Sequence, residues 1–235
     1  IADIAIASNS AKSKAGIIVH ENQNNQMEEI FRALRTNLQF MLHEGEKVVL
    51  FTSSTSGEGK TFTASNLSVS LGLLCKKVIL VGLDIRRPRL AEQFGIKDHK
   101  HGMTNLLVKD NPNAEDVEAQ ILPSGVNKNL DLLMAGPVPP NPAELIARSS
   151  LETIIAILKD KYDYIMIDTA PVGLVTDTLQ IGRVANATIY VCRADYTPKA
   201  SFGMINALAI EEKLPNMAMV LNGVDMSKKK YSYYY

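Results

Sequence analysis

The sequence predicts an α/β fold: a mostly parallel central sheet with helices on both faces. Short runs rich in Val and Ile, without polar alternation, read as strands buried on both sides. Longer segments with apolar residues at helical spacing separate those runs, the alternation expected of a parallel sheet with crossover helices. Hydrophobic residues make up 46% of the 235 and charged residues 21%, which supplies a core and excludes disorder as the main state. No internal repeat or boundary interrupts residues 27–226, so they read as one domain.

Residues 1–22 are small and polar without a period and read as an arm or linker. Ile30, Phe31, Leu34, Leu38 and Met41 then recur at helical spacing, predicting an amphipathic helix over 27–42. Strands follow at 48–51, 78–81, 130–134, 164–167, 188–191 and 217–221. Helices are expected at 61–74, 142–158, 177–182 and 198–214. Pro142 suits a first helical turn, where its missing N–H leaves nothing unsatisfied.

Charge narrows the function. Twenty-five basic residues balance 25 acidic ones, so no overall basic field points to nucleic acid. Cys75 and Cys192 lie in apolar stretches and read as reduced core thiols of a cytosolic protein. No run of roughly 18 apolar residues exists to span a bilayer. The chain starts at Ile1 rather than Met, which reads as a piece of a longer protein, so an anchor elsewhere stays compatible with it.

The chemistry sits at three strand ends. After the strand at 48–51 comes Thr52-Ser53-Ser54-Thr55-Ser56-Gly57-Glu58-Gly59-Lys60-Thr61, then a helix. Small residues there let backbone N–H groups turn toward phosphate oxygens, with the helix N-terminus adding favourable partial charge. Lys60 would reach the outer phosphates and the Thr61 hydroxyl would hold Mg²⁺, although Ser54 replaces the first glycine of the usual G-x-x-x-x-G-K-[ST] pattern. Asp168 closes the strand at 164–167, where a phosphate-loop site needs an acid for the metal. Asp84 follows the strand at 78–81. A single-helix connection predicts that this strand neighbours the phosphate-loop strand, bringing Asp84 to the same metal. The bland alternative makes Asp84 a turn residue paired with Arg86 or Arg87.

Together these motifs resemble the bacterial protein-tyrosine kinases of capsule and exopolysaccharide export, the BY-kinases, over essentially the whole chain. Ser54–Thr61 matches the Walker A motif of that family, Leu80–Arg86 its second, A′ motif, and Ile165–Pro171 its Walker B motif. The resemblance implies a phosphate-loop NTPase fold and an ATP- and Mg²⁺-dependent kinase. It implies catalysis through Lys60, Asp84 and Asp168, nucleotide contacts from Ser56 to Thr61, and metal held by Thr61, Asp84 and Asp168. Gly82 departs from the family, which usually carries there the acid proposed to accept the substrate proton.

Two further segments fit. Glu29, Arg32 and Arg35 have the spacing E-x-x-R-x-x-R, which the family uses to build rings; residues three apart fall about 60° apart around a helix and form one polar stripe. The end of the chain holds Tyr231, Tyr233, Tyr234 and Tyr235 behind Lys228–Lys230, half of all eight tyrosines. In the family such a cluster is the autophosphorylation substrate. The resemblance therefore implies a linker (1–22), a kinase domain (23–226) and a tyrosine tail (227–235), phosphorylated in a ring-shaped homo-oligomer. The partners implied are a neighbouring subunit's tail and a membrane-anchored activator segment in the same or another chain. The place implied is the cytoplasmic face of the inner membrane. Two rival readings are a positioning ATPase of the partition or division-site type, which would carry Lys where Thr55 stands, and a nucleotide-binding scaffold with weak kinase activity.

Overall fold

The computed structural model describes residues 2–5, 16–20, 26–98 and 100–225. Its strands are β1 (Ala2–Ala5), β2 (Val48–Ser53), β3 (Val78–Gly82), β4 (Ile121–Pro123), β5 (Leu130–Leu133), β6 (Tyr164–Asp168), β7 (Ala187–Arg193) and β8 (Met217–Val224). They form one sheet in the order β1-β8-β7-β2-β6-β3-β5-β4, parallel throughout except where β4 pairs antiparallel with β5. The helices are α1 (Gln26–Met41), α2 (Lys60–Gly72), α3 (Leu90–Gln93), α4 (Met103–Leu107), α5 (Ala114–Glu118), α6 (Pro142–Ile146), α7 (Ser150–Lys161), α8 (Asp177–Ile181) and α9 (Ser201–Ile210).

All six expected strands are present, and the sheet packs helices on both faces. On one face Phe31, Leu34 and Leu38 of α1 and Leu67 and Leu71 of α2 meet Val49, Phe51, Leu80 and Met166. On the other, Leu106 and Leu107 of α4 and Leu151, Ile154 and Leu158 of α7 cover Leu50, Ile79, Ile165 and Ile167. Each such side chain, fully withdrawn from water, contributes about 1.5–3 kcal/mol. This two-sided cover is why the strand sequences do not alternate.

Several expectations need correction. The strand carrying Asp84 is not beside the phosphate-loop strand: β6 lies between β2 and β3. The α2 crossover skips one position, and the strand that fills it is apolar on both faces, with Ile165, Met166 and Ile167 all buried. The helix expected over 142–158 is two, α6 and α7. Within the expected arm, Ala2–Ala5 adds an edge strand to β8. Ile17, Ile18 and Val19 are buried as well, their segment tied to α2 where the N–H groups of Ile18 and Val19 donate to Asn66 Oδ1 at 2.8 and 3.2 Å. Cys192 is a core thiol, but Cys75 is exposed, because α2 ends at Gly72 and the chain turns across the surface before β3. Lys228–Lys230 and the four tail tyrosines lie outside the described residues.

Candidate active site

The parallel strands β2, β3 and β6 end together, and their ends bring the three motifs to one place. Gly57 and Gly59 hold φ of 88° and 97°, a left-handed backbone that glycine adopts without strain. A Cβ on Gly59 would stand 2.1 Å from Asn222 Nδ2. Ser54 is not among the residues of positive φ, so the position where the motif usually has glycine accepts a side chain; its hydroxyl meets Tyr190 Oη at 2.9 Å.

Gly59 caps α2, and Lys60 opens it. Lys60 Nζ stands 3.7 Å from Asp84 Oδ2 and 3.8 Å from Asp168 Oδ1, with its side chain 12% exposed. The Thr61 hydroxyl donates to Asp168 Oδ2 at 2.8 Å. Asp84 and Asp168 meet because Gly82 pairs in register with Asp168, and the N–H groups of Leu83 and Asp84 both donate to the Asp168 carbonyl. Burial pushes the Asp168 carboxyl above the ordinary carboxylate range; Lys60 and the Thr61 hydroxyl pull the other way, and Asp84 adds to the rise.

These residues fit a magnesium–nucleotide complex. Asp168 Oδ1 is buried and accepts no hydrogen bond among the described residues, leaving an oxygen directed at the cluster. A hydroxyl and two carboxylates are the hard oxygen donors that Mg²⁺ takes. Glu58 plays a different part with its side chain, which is completely buried. Its Oε2 accepts from the Thr55 N–H at 2.8 Å and its Oε1 from the Thr197 hydroxyl, so it braces the loop from inside.

Three side chains tether the loop from outside, of which only Asn222, at the end of the last strand, is a candidate nucleotide contact in the sequence. Arg193 Nη1 donates to the Gly57 carbonyl at 3.0 Å, Tyr196 Oη to the Ser56 carbonyl at 2.9 Å, and Asn222 Nδ2 to the Glu58 carbonyl at 3.0 Å. Three successive carbonyls are thereby held outward, which leaves the N–H groups of the loop free to face a phosphate. Beside Asp84, Arg86 grips Asp177 with two bonds of 2.6 and 3.0 Å, and Asp177 raises the Arg86 guanidinium pKa further. Asp84 itself accepts the Arg87 N–H at 3.0 Å, so the turn contact of the bland reading coexists with its place beside Lys60. The spacing of Arg193, Tyr196 and Asn222 in sequence gives no signal; only sheet order unites them.

The polar stripe of α1 divides. Glu29 and Arg32 pair on the exposed face, whereas Arg35 turns inward and donates to the Ser70 carbonyl of α2 at 2.7 Å. Burial, then Arg32, lowers the Arg35 pKa.

A strand–glycine loop–helix cradle, a lysine at the helix start and two acids on adjacent parallel strands define a phosphate-loop NTPase. The AAA domain family model matches residues 46–196. Tyrosine-protein kinase YwqD of Bacillus subtilis (strain 168) is 32% identical over 208 residues, 88% of this chain and 85% of the relative. The kinase domain of the Escherichia coli tyrosine kinase ETK matches with a TM-score of 0.82 at 27% identity, covering 100% of this chain and 94% of that one. The septum site-determining protein MinD of Pyrococcus horikoshii OT3, complexed with Mg-ADP, matches with a TM-score of 0.59 at 25% identity over 75% of this chain and 70% of that one. The chain belongs to the bacterial tyrosine-protein kinases, as a kinase domain of the BY type.

Proposed function

We propose that the domain transfers the γ-phosphoryl group of ATP to tyrosines of the cluster Tyr231, Tyr233, Tyr234 and Tyr235 on a neighbouring copy, and so regulates capsular or exopolysaccharide synthesis. The observation that carries this reading is Lys60, poised between Asp84 and Asp168 at the start of α2. Bound Mg·ATP supplies the transferred group and, through its cation, offsets the charge on it. Lys60 places a fixed positive charge where negative charge develops, a contact often worth ~10²-fold or more in rate. Thr61, Asp84 and Asp168 would be the oxygen donors for the metal, which would supply charge stabilisation beside Lys60. Backbone N–H groups from Ser56 to Thr61 receive the phosphates, the left-handed Gly57 and Gly59 aiming them.

With Gly82 in place of an acid, Asp84, Asp168 or solvent takes the acceptor proton in this reading; a loose transition state asks little of a base. Glu29 and Arg32, exposed on α1, serve ring assembly in this reading, whereas Arg35 secures α1 to α2 within one subunit. No described helix is long and apolar enough to cross a membrane. A membrane-anchored activator segment would hold the domain at the cytoplasmic face. The positioning-ATPase reading is weaker, because Thr55 stands where those proteins carry lysine.

The test is a mixing experiment with labelled ATP and Mg²⁺. A Lys60→Met chain with an intact tail should be silent alone and gain phosphotyrosine when mixed with an active, tail-deleted partner. Full activity of Lys60→Met alone would overturn the site. Labelling confined to molecules that are themselves active would overturn transfer between copies.

A further inference from the structure

The four described tyrosines differ sharply in access. Tyr162 and Tyr190 are buried, with hydroxyls on Asp131 and Ser54, and Tyr164 is half-buried in β6. Tyr196, in the loop after β7, is 49% exposed. The one exposed tyrosine among the described residues of a tyrosine kinase thus has its hydroxyl on the kinase's own phosphate loop, 2.9 Å from the Ser56 carbonyl.

Its surroundings make that hydroxyl consequential. The Arg193 guanidinium lies 5.0 Å from the centre of the Tyr196 ring while donating to the Gly57 carbonyl. A Cβ on Gly57 would stand 2.9 Å from Tyr196 Oη, so ring and loop are in close contact. Tyr196 and Arg193 supply two of the three tethers on the carbonyl side of the loop, and Asn222 supplies the third.

Resting on the assignment of tyrosine-kinase activity, we propose that Tyr196 is a second phosphorylation site, modified by another copy, and that its phosphate releases the loop and weakens nucleotide binding. In the transfer the bond from the γ-phosphorus to the β–γ bridging oxygen of a nucleoside triphosphate breaks. A bond from Tyr196 Oη to that phosphorus forms, the phenolic proton passes to solvent, and the nucleoside diphosphate departs. The donor copy must be a different one, because Tyr196 Oη is bound to the outer, carbonyl side of its own loop and cannot attack from the inner, N–H side.

The modification removes an O–H donor and installs about −1.5 to −2 charges with only acceptor oxygens. Those oxygens repel the Ser56 carbonyl. They also draw Arg193, whose guanidinium pairs strongly with phosphate, away from the Gly57 carbonyl. Two of the three tethers are lost together.

The experiment uses the full chain, incubated with Mg·ATP and digested with trypsin. Cleavage after Arg193 and Lys199 isolates Tyr196 in peptide 194–199, separate from the tail. A Lys60→Met recipient mixed with active protein should gain phosphate in this peptide. Wild-type protein phosphorylated to saturation should bind a fluorescent ADP analogue with Mg²⁺ at least tenfold more weakly than before, and phosphatase should restore it. Tyr196→Phe protein with its tail phosphorylated to the same extent should keep its own starting affinity, separating the effect from that of the tail. A saturated tail with peptide 194–199 unmodified overturns the proposal and leaves the kinase reading standing. So does a modified peptide with unchanged affinity, or an equal loss in Tyr196→Phe. Absence of phosphotyrosine anywhere overturns the kinase reading and this proposal with it.

Discussion

Replacing Arg86 by Gln tests whether the loop carrying Asp84 is held by the ion pair to Asp177. Asp177 is 2% exposed and meets Arg86 through two bonds of 2.6 and 3.0 Å. At these separations the attraction is about 6 kcal/mol for an effective dielectric constant near 20. Removing one partner of a wholly buried pair costs about 3–5 kcal/mol. Arg86 is 38% exposed, so water screens the pair and can solvate the carboxylate left behind, which brings the expected loss to about 2 kcal/mol. For a domain of this size that lowers Tm by about 4–8 °C. Scanning fluorimetry and urea unfolding should show the loss, and Arg86→Gln with Asp177→Asn should recover most of it, a coupling of about 1–2 kcal/mol. Because Arg87 N–H holds Asp84 from the adjoining residue, Mg-ADP affinity should fall in the single variant as well. A Tm within about 1 °C of wild type, or single effects that simply add in the double variant, would refute the reasoning.

Gly59→Ala forces a side chain into a φ of 97° and against Asn222; it should cost about 1–3 kcal/mol in calorimetry and abolish nucleotide binding by titration. Native protein at pH 8 should take up one alkylating label, at Cys75, because burial pushes the Cys192 thiol up to about 11; denatured protein should take up two, as counted by intact mass. Arg35→Ala should lower the stability of the single subunit by about 1 kcal/mol through its lost bond to Ser70; Arg32→Ala, which removes an exposed pair with Glu29 and a 3.8 Å ion pair with buried Glu28, should reduce assembly size in light scattering and cost at most about 1 kcal/mol of stability.

The parts of this molecule that could be read from the chain are those where one physical requirement acts over a contiguous stretch. Strands β2, β3 and β6 must be apolar on both faces, and the phosphate loop must combine glycine, lysine and threonine beside a helix start. Strand β4, three residues ending in Pro123, and helices α3 to α5, of four or five residues, are too short to show a period. The break between α6 and α7 falls at Arg148-Ser149, where no Pro or Gly marks it. The order of β2, β6 and β3 depends on which strand fills a skipped position, a question settled by packing over the whole sheet. For the same reason Arg193, Tyr196 and Asn222 could not be joined to the phosphate loop: β7 and β8 deliver them beside it through pairings far apart in sequence. Asp177 and Arg86 likewise meet only once β3 and β6 are neighbours.

The pairing of β1 with β8 sets an order of events in the birth of the domain. Ala2 pairs with Val220, so the first strand to be synthesised has its partner almost at the opposite end of the sequence. At about 5–20 residues per second, a ribosome needs roughly 10–40 s to make the intervening chain. Through that interval β2, β3, β6 and β7 can assemble around α2 with ever shorter loops to close, while residues 2–5 have no strand to join. Closing so long a loop is entropically costly until the rest of the sheet has brought its ends together. Strand β1 is therefore expected to be added last, with the phosphate loop complete before the sheet is.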